Sequence, residues 1–179
     1  MRACGMLLPV SSLPSPYGIG AFSLSKDINV SVYEAKKYID DYLHNFPNVE
    51  KFMNDTVENA KKNGYVTTMF GRKRYVPELS ASNKNMQAAG RRIAMNTPIQ
   101  GSAADIIKIA MVRVYRRLKE EVPDARLILQ VHDELLIEAK EDEVEAVKAI
   151  LEREMKGAAN LAVPLEIDMH TGTNWYEAK

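Results

Sequence analysis

Two apolar runs, Leu127–Val131 and Leu135–Ile137, stand three residues apart in the stretch RLILQVHDELLIEAK (Arg126–Lys140). Runs this short, with polar residues at the joint, read as two antiparallel strands and a tight turn. A hairpin of this kind is marginal alone in water, so it requires further strands or a helical cover. The flanking sequence supplies that cover. EDEVEAVKAILEREMKG (Glu141–Gly157) has the period of an amphipathic helix, and VPLEIDMHTG (Val163–Gly172) reads as a last strand.

Upstream, helical patterns dominate. In SVYEAKKYIDDYLHNF the residues Val32, Ala35, Tyr38, Ile39, Tyr42, Leu43 and Phe46 recur at helical spacing. Ser31 with Glu34 predicts a capping box at the start of this helix. Pro47 opens a second helix and Gly64 closes it. YVTTMFGRKRYVPEL (Tyr65–Leu79) then reads as a hairpin about a glycine turn. Asn83 to Glu121 is nearly all helical in pattern, interrupted at NTPIQGS. There Thr97 predicts an N-cap, Pro98 a first helical residue, and Gln100 a capping-box partner, giving two helices with a bend. Ile106, Ile107, Ile109, Ala110, Val114 and Leu118 mark the buried side of the second, and Pro123 ends it. The order of elements predicts an α+β fold: a small antiparallel sheet with helices packed on one face.

Charge separates along the chain although the total is zero. Residues 1–119 carry 18 Lys/Arg against 9 Asp/Glu, and residues 120–179 carry 6 against 15. This pattern fits either two solvated faces of opposite sign or a basic surface for a polyanion beside an acidic region able to hold metal. A single cysteine, Cys4, excludes a disulfide framework. The apolar run near the start is too short for a membrane span and a poor signal peptide. The expected location is cytoplasmic, with no membrane partner.

The residues able to do chemistry cluster in a few places. His132, Asp133 and Glu134 occupy the joint of the hairpin. Aspartate is common in tight turns for structural reasons alone. A carboxylate on short rigid strands also suits a hard cation such as Mg²⁺, and a two-metal phosphoryl-transfer site needs carboxylates from at least two segments. Arg92, Asn96 and Gln100 are spaced four apart, so one continuous helix would place them on one face. A guanidinium and two amides can read groove edges or hold phosphates, though a solvated face is the plainer reading. The basic turn GRKRY (Gly71–Tyr75) could sit on phosphates. Trp175 reads as a packing anchor for the tail.

QVHDELL (Gln130–Leu136) resembles motif C of bacterial family A DNA polymerases, the DNA polymerase I type. YGIGAFSLSKDINVSVYEAKKYIDDYL, FPNVEKFM, GYVTTMFGRKRYVPEL, RRIAMNTPIQGSAADIIKIAM and NWYEAK follow the family in order. The resemblance runs from Tyr17 to Lys179. It implies the C-terminal part of a polymerase palm with part of the fingers. It further implies that Asp133 binds catalytic Mg²⁺, with Glu134 as the adjacent acid. His132, Arg92, Asn96, Gln100 and Tyr17 would contact DNA, Tyr17 as the tyrosine closing motif B. Primer–template DNA and deoxynucleotides are the implied partners.

Motif A, with the other metal-binding aspartate, has no counterpart here, nor does the body of motif B. The expectation is therefore a polymerase fragment that does not polymerise alone; the alternative is a non-catalytic nucleic-acid-binding module. MRACGMLLPVSSLPSPYGIG (residues 1–20) resembles instead the start of bacterial 4-α-glucanotransferases. Twenty residues are too few for a sugar-active barrel of roughly 250. Residues 1–20 are expected to form an extended or poorly ordered extension, and 21–179 the partial polymerase domain. A sheet lacking the motif A strand would leave an open edge and invite self-association.

Overall fold

The computed structural model describes residues 2–7, by their backbone, and residues 20–178. In chain order the elements are β1 (Arg2–Leu7), α1 (Ala21–Asp27), α2 (Val32–Asn45), α3 (Pro47–Asn63), β2 (Tyr65–Thr67), β3 (Lys73–Tyr75), α4 (Lys84–Asn96), α5 (Ser102–Glu121), β4 (Arg126–Val131), β5 (Glu134–Ala139), α6 (Val144–Lys156) and β6 (Asp168–Gly172). Short 3₁₀ turns lie at Pro77–Ser80 and Glu141–Glu143, and a π-helical turn spans Thr97–Gly101. The chain divides into two compact units, one of residues 1–11 with 103–179 and one of residues 12–102. The expected boundary at residue 20 follows a change in sequence character. The compact units follow packing and divide the chain elsewhere.

In the first unit the sheet has the order β4-β5-β1-β6, every pair antiparallel. Leu135, Ile137 and Ala139 alternate along β5, so they share one face. They join a single buried cluster with Ile106, Ala110, Val114 and Leu118 of α5 and Val147, Ile150, Leu151 and Met155 of α6. The helices thus cover one face of the sheet, as the sequence pattern requires. Each such fully buried aliphatic side chain contributes about 1.5–3 kcal/mol. Arg117 reaches Glu154 at 3.3 Å and Arg153 reaches Glu121 at 2.8 Å, tying α5 to α6. Apart from the largely buried Glu154 these side chains are about half exposed, and the pairs add little beside the apolar contact. Leu165 and Ile167, expected to lie within the last strand, pack on the cluster before β6 begins at Asp168.

Arg2–Leu7 fills the place between β5 and β6. The sheet edges are β4 and β6. On β4, Ile128 has no partner in β5 because the register shifts between Leu127 and Leu129.

The second unit is built on α3, α4 and the β2–β3 hairpin. The Ser31 capping box forms as the sequence predicts: the Ser31 amide donates to Glu34 at 3.0 Å, and the Glu34 amide donates to the Ser31 hydroxyl at 3.2 Å. Pro47 is the first residue of α3, and Gly64 ends it in the left-handed region at φ 80°. The core here is Val57, Ala60, Val66, Val76, Leu79 and Ala94. Of the apolar stripe on α2 only Ala35 is buried; Val32, Tyr38, Tyr42 and Phe46 are exposed.

Helix α4 crosses the Pro77–Ser80 turn closely at Gly90. A Cβ there would lie 2.8 Å from the Leu79 amide nitrogen and 3.0 Å from the Glu78 carbonyl carbon. Because the obstacle is backbone, Gly90→Ala should destabilise the second unit by about 1–3 kcal/mol through overpacking, despite alanine's better helix propensity. Urea denaturation followed by far-UV circular dichroism measures this, and equal or greater stability would contradict the packing.

Candidate functional site

The acidic turn is made by strand pairing. Val131 of β4 is opposite Glu134 of β5, leaving His132 and Asp133 as a two-residue connection. Such a tight reversal needs a left-handed residue, and His132 takes it at φ 50°. Histidine is among the non-glycine residues that tolerate this region, at some cost. The Gln130 side-chain amide donates to the His132 carbonyl at 2.6 Å, clamping the turn from inside. His132 is exposed, while Asp133 and Glu134 are half buried.

Glu134 is held from a distant part of the chain. The Trp175 indole N–H points at its carboxylate at 3.4 Å, a long hydrogen bond. Trp175 is 42% exposed, so it is less the packing anchor expected from sequence than a polar contact to the acidic turn. The tail that carries it is pinned by Glu177. The Thr173 amide and hydroxyl donate to the Glu177 carboxylate at 2.8 and 2.6 Å, and the Glu177 amide donates to the Asn174 side chain at 3.1 Å. The bonds from Thr173, its hydroxyl first and then its amide, hold the Glu177 carboxyl below the usual carboxylate range. Gly172 is required next to this turn, because a Cβ would stand 2.5 Å from the Glu177 Cβ. Neither Gln130 nor Trp175 was legible as a site residue: Trp175 lies 41 residues from Glu134, and no local pattern links them.

Arg92, Asn96 and Gln100 lie in the second unit. Arg92 and Asn96 are one turn apart on α4, Arg92 exposed and Asn96 half buried. Gln100, exposed, falls in the π-helical turn. A wider turn changes the phase, so the three do not form the straight α-helical row predicted. The predicted N-cap at Thr97 is also corrected. Its backbone is helical, with φ −60° and ψ −44°, because the helix begun at Asn83 runs through it. Its hydroxyl instead donates to the Ile93 carbonyl at 2.7 Å. Pro98 cannot donate to the carbonyl four residues back, which opens the turn. The Ser102 hydroxyl donates to the Pro98 carbonyl and accepts from the Met69 amide at 2.9 Å.

The basic hairpin turns at Gly71, φ 79°, and leaves Lys73, Arg74 and Tyr75 exposed. Arg72 donates to the Gly101 carbonyl at 3.0 Å, and the Lys73 ammonium sits 4.5 Å from the Tyr65 ring centre. Tyr17 lies outside the described residues. Among the described residues no three His, Cys, Asp or Glu side chains converge as a metal-binding group, and no helix is long and apolar enough to cross a membrane.

Two outcomes follow. His132→Gly should leave the first unit within about 1 kcal/mol of its parent, whereas His132→Val should cost about 1–2 kcal/mol, because only glycine escapes the left-handed penalty. Equal midpoints in guanidinium titrations of both variants would contradict a strained turn. The folded-state pKa of Glu177 is lowered, so its contribution to the tail turn is present above the unfolded value and is lost as pH falls through the folded one. The Thr173 amide resonance should therefore titrate below the range of a free glutamate, and Thr173→Ala should move that midpoint upward. A midpoint at the free value in the parent would remove the argument.

Comparison with known proteins agrees with this architecture. The family model described as DNA polymerase family A matches residues 15–177. The chain is 48% identical over 163 residues to DNA polymerase I of Caldicellulosiruptor bescii, which covers 91% of this chain and 19% of that protein. It is 48% identical to DNA polymerase I of Bacillus subtilis, covering 91% and 18%, and 44% identical to the thermostable DNA polymerase I of Thermus aquaticus, covering 91% and 19%. The chain thus spans about a fifth of the length of these relatives. Among solved structures, the POL domain of Pol1 from M. smegmatis, in complex with DNA primer-template and dNTP, superposes with a TM-score of 0.90 at 30% identity, covering 99% of this chain and 40% of that one. With its sequence match over nearly the whole chain and its fold in agreement, this α+β chain belongs to DNA polymerase family A.

Proposed function

We propose that the chain carries the motif C part of a DNA-directed DNA polymerase, and that alone it binds primer–template DNA without extending it. The observation that carries this reading is the QVHDELL segment, folded as a two-residue turn with Asp133 at its tip, inside a 163-residue match to DNA polymerases I. In this reading Asp133 holds Mg²⁺, with Glu134 beside it and His132 facing the primer end. The donor set suits a hard cation, which binds through one or two carboxylates and otherwise through water and substrate phosphates. When bound, the metal would stabilise charge on the attacking and leaving oxygens of nucleotidyl transfer.

The chain's own contribution is positional. Gln130 and the β4–β5 ladder hold the Asp133 backbone, and Trp175 steers Glu134. Arg92, Asn96, Gln100 and Tyr17 contact DNA, with the exposed Arg92 guanidinium available to a phosphate. What supports the proposed inactivity is that this sequence offers no counterpart of motif A or of the body of motif B; one carboxylate segment is half of a two-metal cage. Self-association is part of the same reading. Ile128 and Leu129 on the edge strand β4 are 54% and 40% exposed, and an apolar edge is a template for pairing.

Primer extension with Mg²⁺ and deoxynucleotides tests the catalytic half. No product is expected from this chain, and template-dependent extension near the rate of a full polymerase would overturn the proposal. Fluorescence anisotropy with a labelled primer–template tests the rest. Affinity should fall steeply with salt, and Arg92→Ala should lower the salt slope by about one. No binding at low salt would remove the nucleic-acid reading.

A further inference from the structure

We propose that Arg2–Leu7 is a replacement strand: a segment of foreign sequence that completes the sheet of the first unit in a place its relatives fill with different residues. Two observations meet here. The family match begins only at residue 15, so Arg2–Leu7 lies outside it. The structural match nevertheless covers 99% of the chain at a TM-score of 0.90, and so takes in this strand. Coverage this complete supports an equivalent strand in the solved polymerase domain, while the residues that form it here lie outside the family match.

The place is an interior one. Gly5 is opposite Leu136 on one side and His170 on the other, and Leu7 is opposite Glu134 and Asp168. β5 is deeply buried, with Leu135 and Ile137 at 0% exposure. Without β1, both β5 and β6 would present a row of unpaired amides and carbonyls along this gap. Each such group destabilises the sheet when buried and unsatisfied. Main-chain hydrogen bonds satisfy them whatever the side chains, so an unrelated segment can serve if it is extended and free of proline. RACGML meets both conditions.

The replacement restores the fold and not the chemistry. Residues 1–16 contain no Asp or Glu, so this strand, which ends opposite Glu134, brings no further carboxylate to the acidic turn. The inference rests on the family membership and on the strand order; it does not depend on Asp133 holding metal.

Native-state hydrogen exchange on the full chain tests it, and neither DNA nor metal enters the measurement. Amides of Ala3–Met6 should be protected together with those of Leu135–Ile137 and Met169–Thr171, as one cooperative group. Free-chain exchange at Ala3–Met6 with β5 still protected would overturn the proposal. As a second arm, a chain with residues 2–7 replaced by a Gly-Ser segment should lose about tenfold or more in protection at β5 and β6. A synthetic RACGML peptide added in excess should restore it, whereas unchanged protection in the Gly-Ser chain would also overturn the proposal.

Discussion

The main-chain ladder on both sides of β5 is the constraint on which the first unit depends. β5 pairs with β4 through a two-residue turn and with β1 across the sheet. One face of it enters the cluster made by α5 and α6. A strand so placed cannot slip, since a shift of one residue would expose Leu135, Ile137 and Ala139 and bury charged neighbours. Everything at its N-terminal end inherits that rigidity, the acidic turn included.

The turn is where strain and polarity are concentrated. A histidine in the left-handed region, a side-chain amide on its carbonyl and an indole on the nearby glutamate come from two stretches of chain, Gln130–Glu134 and the tail. Packed α5 and α6 and the sheet beneath offset that strain. This is the usual arrangement at a site that must hold a carboxylate in one orientation, and it fits the role proposed for Asp133. The tail beyond Gly172 belongs to the same arrangement, because the Glu177 turn presents Trp175 toward Glu134.

The π-helical turn plays the comparable part in the second unit. Proline at position 98 removes one helix donor, and hydroxyls at Thr97 and Ser102 take up carbonyls around it. The same segment moves Gln100 out of the straight row with Arg92 and Asn96. A sequence read as a capping box is thus a widened helix, because a helix already running from Asn83 leaves Thr97 no free backbone to cap.

The sequence by itself determined the α+β class, the capping box at Ser31, the ends of α3, both hairpins and the polymerase resemblance. All of these rest on local patterns: period, turn residues, caps and contiguous motifs. It also located the acidic turn, because three polar residues between two apolar runs leave few alternatives. Only the tertiary structure decided that Trp175 reaches Glu134, that Gly90 and Gly172 stand at close backbone approaches, and that Arg2–Leu7 is an interior strand. Each of these joins residues far apart in the chain, and periodicity carries no information about such pairs. The β1 case is the clearest. Arg2–Leu7 lies before the family match, which begins at residue 15, yet it pairs with both β5 and β6, because a ladder recognises backbone rather than side chains.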